Sequence, residues 1–197
     1  MIFSKIKLTK AGTLEATYKN EDGDVIQFAG ANLVHKDLKE ALQGLIPHLA
    51  IITEQREAFN KKLADLREQR ITDKEDNVYK RLTVEVLSFT NDQKKVSLTG
   101  SRILLNSGVI SLTAPSVDLA DEDDYEYQND LALDVDAVLF EAKAYIEEKK
   151  WGVKQASIDF KDIDPFKAIE TGEVPEAASE APKKGKKGKK GKKVAVA

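Results

Sequence analysis

The chain has 197 residues, with 31 Lys plus Arg, 34 Asp plus Glu, two His and no Cys. The missing cysteine excludes disulfides, thiol nucleophiles, Cys-ligated zinc and iron–sulfur clusters. No apolar run approaches the length of a membrane-spanning helix. The start, Met1-Ile2-Phe3-Ser4-Lys5-Ile6-Lys7, lacks the apolar stretch and small-residue cleavage site of a secretory signal, so the expectation is a cytoplasmic protein.

Residues 2–8 alternate as a strand, with Ile2, Ile6 and Leu8 opposite Lys5 and Lys7. Gly12 marks a turn, after which Leu14, Ala16 and Tyr18 alternate with Glu15, Thr17 and Lys19 in the period-two pattern of a half-buried strand. Asn20-Glu21-Asp22-Gly23 is a hairpin signal, because Asp-Gly accepts positive φ. Val25, Ile26 and Phe28 supply a third strand, completing a predicted antiparallel meander.

A long amphipathic helix is predicted over residues 36–69. Leu38, Leu42, Leu45, Leu49, Ile52, Phe59, Leu63 and Leu66 follow helical spacing, interrupted by Arg56, a near-heptad that suits packing on a sheet or on a partner helix. Pro47 should kink it near Gly44-Leu45-Ile46, since proline removes a backbone donor. Beyond Thr53, Glu54, Arg56, Glu57, Lys61, Lys62, Asp65, Arg67, Glu68 and Arg70 place opposite charges at helical spacing, as on a solvated segment.

Strand patterns return from Val78. Leu82, Val84 and Val86 alternate with Arg81, Thr83 and Glu85, and Val96 and Leu98 run toward Gly100 after the turn Asn91-Asp92-Gln93-Lys94. Asn106-Ser107-Gly108 turns the chain again, and Val109 to Ala114 forms a sixth strand that Pro115 ends. Asp118 to Asp136 carries nine acids and no base. It leads into a helix with Leu131, Val135, Val138, Leu139, Ala142 and Ile146 on one face, its acids where the helix dipole favours negative charge. Trp151-Gly152 is the expected C-cap.

The fold class expected is therefore α+β: two antiparallel three-stranded β-meanders, each followed by an α-helix, with a disordered basic tail. The α+β domain should span residues 1–168, with a β-β-β-α duplication over 1–70 and 78–151. Residues 169–197 read as a linker rich in Glu, Pro, Ala and Ser followed by a Lys/Gly-rich arm. Whether the two meanders share one sheet is left open at this level.

The charge layout carries the functional reading. Lys183, Lys184, Lys186, Lys187, Lys189, Lys190, Lys192 and Lys193 form lysine pairs separated by single glycines. The other 23 basic residues face 34 acids, so the body stands at −11 beneath an arm of +8. Flexible ammonium groups bind polyanions by releasing counterions, and nucleic acid is the commonest such partner, with anionic membrane next. A solubility element or a resting place on the Asp118–Asp136 acids is the plainer use of such an arm. On the body, Lys5, Lys7 and Lys19 are the candidate basic patch, and Tyr18, Phe28, Tyr79 and Phe89 are candidates for base stacking or for the core.

Catalytic and metal constellations are not expected. His35 and His48 lack any ligand or acid–base spacing. Asp121-Glu122-Asp123-Asp124 has none of the EF-hand register, and Gly185-Lys186-Lys187-Gly188 lacks the Ser or Thr and the strand-to-helix setting of a phosphate loop. The reading is of a non-enzyme with no cofactor and no small-molecule substrate.

Two resemblances add a setting. Val34-His35-Lys36-Asp37-Leu38-Lys39-Glu40-Ala41-Leu42 with Leu45, then Pro47-His48-Leu49-Ala50-Ile51-Ile52 and Glu54, resembles a pattern of small uncharacterised bacteriophage and prophage proteins, which implies a phage-encoded protein acting in host cytoplasm. Asp162-Ile163-Asp164-Pro165-Phe166 is similar to the acidic-Pro-Phe tip of bacterial single-stranded DNA-binding proteins, where the motif ends the chain; here 31 residues follow it. The resulting expectation is an accessory protein of phage DNA metabolism that binds nucleic acid, single-stranded DNA first, partly through its tail. The alternative is a protein-interaction or structural module, in which helix 36–69 mediates homo-oligomer or partner contacts.

Overall fold

The computed structural model of the protein describes residues 1–71, 77–90, 92–121 and 124–152, all within a unit spanning Met1–Gln155. The fold is α+β, built on a mostly antiparallel sheet. Its strands are β1 (Ile2–Leu8), β2 (Thr13–Lys19), β3 (Val25–Leu33), β4 (Leu82–Thr90), β5 (Lys95–Ile103), β6 (Val109–Thr113) and the two-residue β7 (Val117–Asp118). They lie in the order β3-β2-β1-β4-β5-β6, with β7 pairing β5. The open question of one sheet or two is answered by the β1–β4 seam, which sets Lys5 opposite Ser88, Ile6 opposite Leu87 and Lys7 opposite Val86.

Alternation decides which face is buried. Phe3, Ile6, Leu14, Ala16, Tyr18, Leu82, Val84, Leu87, Phe89, Val96 and Leu98 point into a single core beneath the helices. Irregularities between Phe3 and Lys5 and between Val84 and Val86 shift the pleat; the first corrects the expected side of Ile2, which pairs with Lys19 on the lysine side and is exposed, while Phe3 is buried. Gly100 sits beside the second of them, where a Cβ would run into the Thr83 carbonyl.

The expected helix over 36–69 is corrected. The chain forms α1 (Lys36–Gly44), α2 (Ile46–Ile52), a 3-10 turn over Arg56–Ala58, α3 (Leu63–Glu68) and a second 3-10 turn over Gln69–Ile71. Pro47 stands in the first turn of α2 rather than inside one long helix, a position where its missing N–H costs nothing. Glu54 and Asn60 take positive φ, 51° and 56°, and break the path between α2 and α3. Leu38, Leu42, Leu45, Leu49, Leu63 and Leu66 are nonetheless all buried. Its leucines are spent in the protein's own core, whereas Phe59, on the same stripe, stays 75% exposed.

Three smaller differences follow from local geometry. Residues Val78–Arg81 are a short helix, α4, capped by the Asn77 side chain, before β4 begins. The last helix, α5 (Gln128–Glu147), stops at Lys149, which adopts φ 58°, and not at Gly152. Gly152 instead donates to the Leu33 carbonyl while Trp151 bridges Val34, tying the chain after α5 to the end of β3. The expected α5 face buries Leu131, Val135, Val138 and Ala142, and adds Tyr145, whose ring lies over Gly30 and edge-on to Phe28.

No described helix is long and apolar enough to cross a membrane.

Candidate functional site

The sheet face opposite the helices is the candidate interface. Because β1 and β2 alternate and pair in register, Lys5 stands opposite Thr17, Lys7 opposite Glu15, and Lys19 opposite Ile2. All three candidate lysines of the body therefore share one face, which no described helix covers. The neighbouring strands continue it with hydroxyls: Ser88 opposite Ser97, Thr99 opposite Thr113, and Ser101 opposite Ser111. Several of these hydroxyls bond one another, as in Thr83 with Ser101 at 2.7 Å and Thr99 with Thr113 at 3.3 Å. A shallow concavity of about 410 Å³ opens among Lys5, Lys7, Glu15, Thr17 and Gln27.

The three lysines are not equivalent. Lys7 is matched by Glu15 at 2.7 Å, whereas Lys5 and Lys19 form no ion pair among the described residues. The proposed stacking residues are elsewhere. Tyr18 and Phe89 are buried and Phe28 and Tyr79 half-buried, Tyr18 against Phe3 with ring centres 5.7 Å apart. The open face thus offers ammonium and hydroxyl groups, with the carboxylates of Glu15 and Glu85 among them, and none of the four proposed stacking rings. Tail residues Lys183 to Lys193 and the segment Asp162–Phe166 lie outside the described residues.

A second polar constellation, which sequence spacing does not reveal, crosses the helical layer. His48, wholly buried on α2, places Nδ1 3.0 Å from the Tyr125 hydroxyl and Nε2 3.2 Å from Asp134 Oδ2. Arg67 on α3 donates to the same Asp134 oxygen at 2.9 Å and to Asp130 Oδ1 at 2.7 Å. Burial pushes the Tyr125 phenol up, so it stays protonated. Burial also resists ionisation of Asp134, but hydrogen bonds from His48 and Arg67 outweigh it and hold the carboxyl below the ordinary carboxylate value. One assignment satisfies every group: Tyr125 O–H donates to His48 Nδ1, and His48 Nε2–H donates to ionised Asp134.

That geometry superficially resembles a hydroxyl–imidazole–carboxylate relay, yet its imidazole is closed to solvent. It ties α2, α3, α5 and the segment before α5 together. The acids Asp130 and Asp134 at the start of α5, expected only to complement the helix dipole, are the Arg67 ligands. Asp118, earlier in the acidic stretch, accepts from the Ala120 amide and meets Lys95 at 3.3 Å, and both lower its pKa, the amide most. His35 caps α1, accepting from the Asp37 amide at 3.4 Å.

At the end of β5, Arg102 donates to Gln55 and pairs with Glu57 at 2.7 Å, fixing the loop after α2 to the sheet. Among the described residues no three His, Asp or Glu side chains stand together as a metal site. Comparison with protein-family models, with curated proteins and with solved structures gives no match to this chain.

Proposed function

We propose that the protein is a non-enzymatic accessory factor of phage-type DNA metabolism that holds nucleic acid, in particular single-stranded DNA, by its phosphate backbone. The observation that carries this reading is the gathering of Lys5, Lys7 and Lys19 on a hydroxyl-rich sheet face that no described helix covers. Ammonium and hydroxyl groups are the usual phosphate ligands, and they carry no base information. In this reading the body spans residues 1–168, two β-β-β-α halves, and residues 169–197 are a flexible arm whose eight lysines add sequence-independent affinity. With Tyr18 and Phe89 buried and Phe28 and Tyr79 half-buried, a preference for single strands would come from the shape of the face rather than from stacking on these rings.

The test is a salt-dependent binding titration with single-stranded DNA, duplex DNA and RNA, on the full chain and on a chain lacking residues 183–193. Affinity should fall steeply with salt. Loss of the arm should weaken binding and flatten the salt slope by several charges. Equal binding by the truncated chain removes the arm from the reading, and absence of binding or of salt dependence removes the reading itself.

A further inference from the structure

The two ends of the sheet differ in how they are finished. The outer edge of β3 is partly occupied, since Trp151 bridges Val34 and the Gly152 amide bonds Leu33 at 2.7 Å. Among the described residues the outer edge of β6 has no such cover. Hydrogen bonds from the Leu104 amide to Gly108 and from the Ala114 amide to Leu98 fix the phase of the β5–β6 ladder. With Ile103 opposite Val109 and Ser101 opposite Ser111, Ile110 and Leu112 turn their backbone groups toward β5. Val109, Ser111 and Thr113 then point theirs away from the sheet, as a row of donors and acceptors that no described residue pairs.

Natural edge strands are blunted by lysine, proline, glycine, bulges or inward charge. Val109-Ile110-Ser111-Leu112-Thr113 has none of these, and its pairing with β5 is regular. The same hairpin exposes apolar side chains: Leu105 is 85% and Val109 65% accessible, and Ile103 and Ile110 are also exposed.

We infer that β6 is a homodimerisation edge, pairing antiparallel with β6 of a second copy about a two-fold axis at Ser111. The occupant follows from symmetry of the backbone and of the charge. Outward groups must meet outward groups, and a centre at Ser111 achieves this along the strand: Ser111 faces its own copy, and Val109 faces Thr113 in both directions. The strand is uncharged, so self-pairing meets no like-charge penalty. The register carries the apolar hairpin tip with Leu105 toward Pro115 of the other copy, adding buried area to a short ladder. Directly opposed hydrogen-bonded residues point to the same side of a sheet, so the uncovered faces of both copies join. This inference goes beyond the nucleic-acid reading and is tested without nucleic acid.

The experiment is sedimentation equilibrium of the full chain over a concentration series, with far-UV circular dichroism on each variant. Wild type should approach twice the protomer mass as concentration rises. Ser111→Pro removes only an outward N–H, a substitution that edge strands accept, and should weaken association about tenfold or more through the two lost bonds. Ser111→Lys leaves the backbone intact, opposes two ammonium groups at the axis, and should also weaken it about tenfold; it decides the matter if the proline variant fails to fold. Gln27→Pro, at an outward position of the β3 edge, should leave the dimer unchanged. A wild-type protein that stays monomeric at the highest soluble concentration overturns the inference, as does a dimer insensitive to Ser111→Lys or lost with Gln27→Pro.

Discussion

His48 and Asp134 stand 86 positions apart in the chain and 3.2 Å apart in the fold. The contact joins α2 to α5, and Arg67 completes it from α3. Replacing His48 by Ala leaves the Tyr125 hydroxyl without its acceptor and Asp134 with Arg67 as its remaining partner, and opens space at a wholly buried position. The expected loss is about 2–4 kcal/mol of unfolding free energy, read as a fall in urea midpoint at unchanged slope. A loss under about 0.5 kcal/mol, the range of an ordinary surface change, would mean that the network is not a structural tie.

The depressed carboxyl of Asp134 makes the same network acid-sensitive. A group whose folded pKa lies below its unfolded value stabilises fully above the unfolded value, 3.8 for this residue type. That contribution is lost as pH falls through the lower, folded value. Asp134→Asn should therefore be less stable than wild type at pH 7, with the gap closing as pH drops below about 4. Asp37 and Asp118 are depressed in the same direction by Lys150 and the Ala120 amide, so wild type and variant should both retain some acid sensitivity. Melting curves collected from neutral to acid pH give the comparison, and a gap constant with pH would be the contrary result.

Gly100 is predicted to tolerate no side chain. A methyl group would meet the Thr83 carbonyl and approach Leu49 at 3.0 Å, so either the ladder at the Val84–Val86 irregularity or the core must shift. Gly100→Ala should cost about 1–3 kcal/mol, whereas Gly23→Ala, with nothing nearby but a positive φ of 89°, should cost about 1 kcal/mol. Thermal melts of the two variants side by side separate close approach from backbone conformation.

The ion pairing on the open face ranks its lysines for the nucleic-acid reading. Lys5→Ala and Lys19→Ala should each weaken DNA binding several-fold and reduce the salt slope by about one charge. Lys7→Ala should do less, because Glu15 already neutralises it at 2.7 Å, and Glu15→Gln should strengthen binding. Fluorescence anisotropy at two salt concentrations measures each; equal losses in all three lysine variants would overturn the ranking, and no loss in any would leave the tail as the sole contact.

Much of the sheet was legible because its signals are local. Leu14, Ala16 and Tyr18 alternate with Glu15, Thr17 and Lys19, and period two alone puts Lys5, Lys7 and Lys19 outside. The helical stripe from Leu38 to Leu66 marks core residues at its leucines but not at Phe59, which is exposed, and it misleads about shape. Each segment turns its leucines inward independently, so the spacing survives breaks at Glu54 and Asn60; Asn is a type that tolerates positive φ, whereas nothing in a Glu announces it. His48 gave no signal either. Its partners lie 77 and 86 positions away, and a buried imidazole is read from its surroundings, not its neighbours in sequence.

The β1–β4 seam has a consequence for how the molecule folds. Each half can form hairpins early, since β1–β2–β3 and β4–β5–β6 are linked by short turns. The seam instead joins strands about 80 residues apart, a closure costing about 4 kcal/mol of chain entropy by the logarithmic law. That entropy must be lost before the central contacts form, so sheet assembly waits on collapse of the α1–α4 segment between the strands. The repetition of strand order thus does not make two autonomous folding units: Leu87 of one half and Ile6 of the other are fully buried against a common core, and the order in which the chain gains structure ends at its middle.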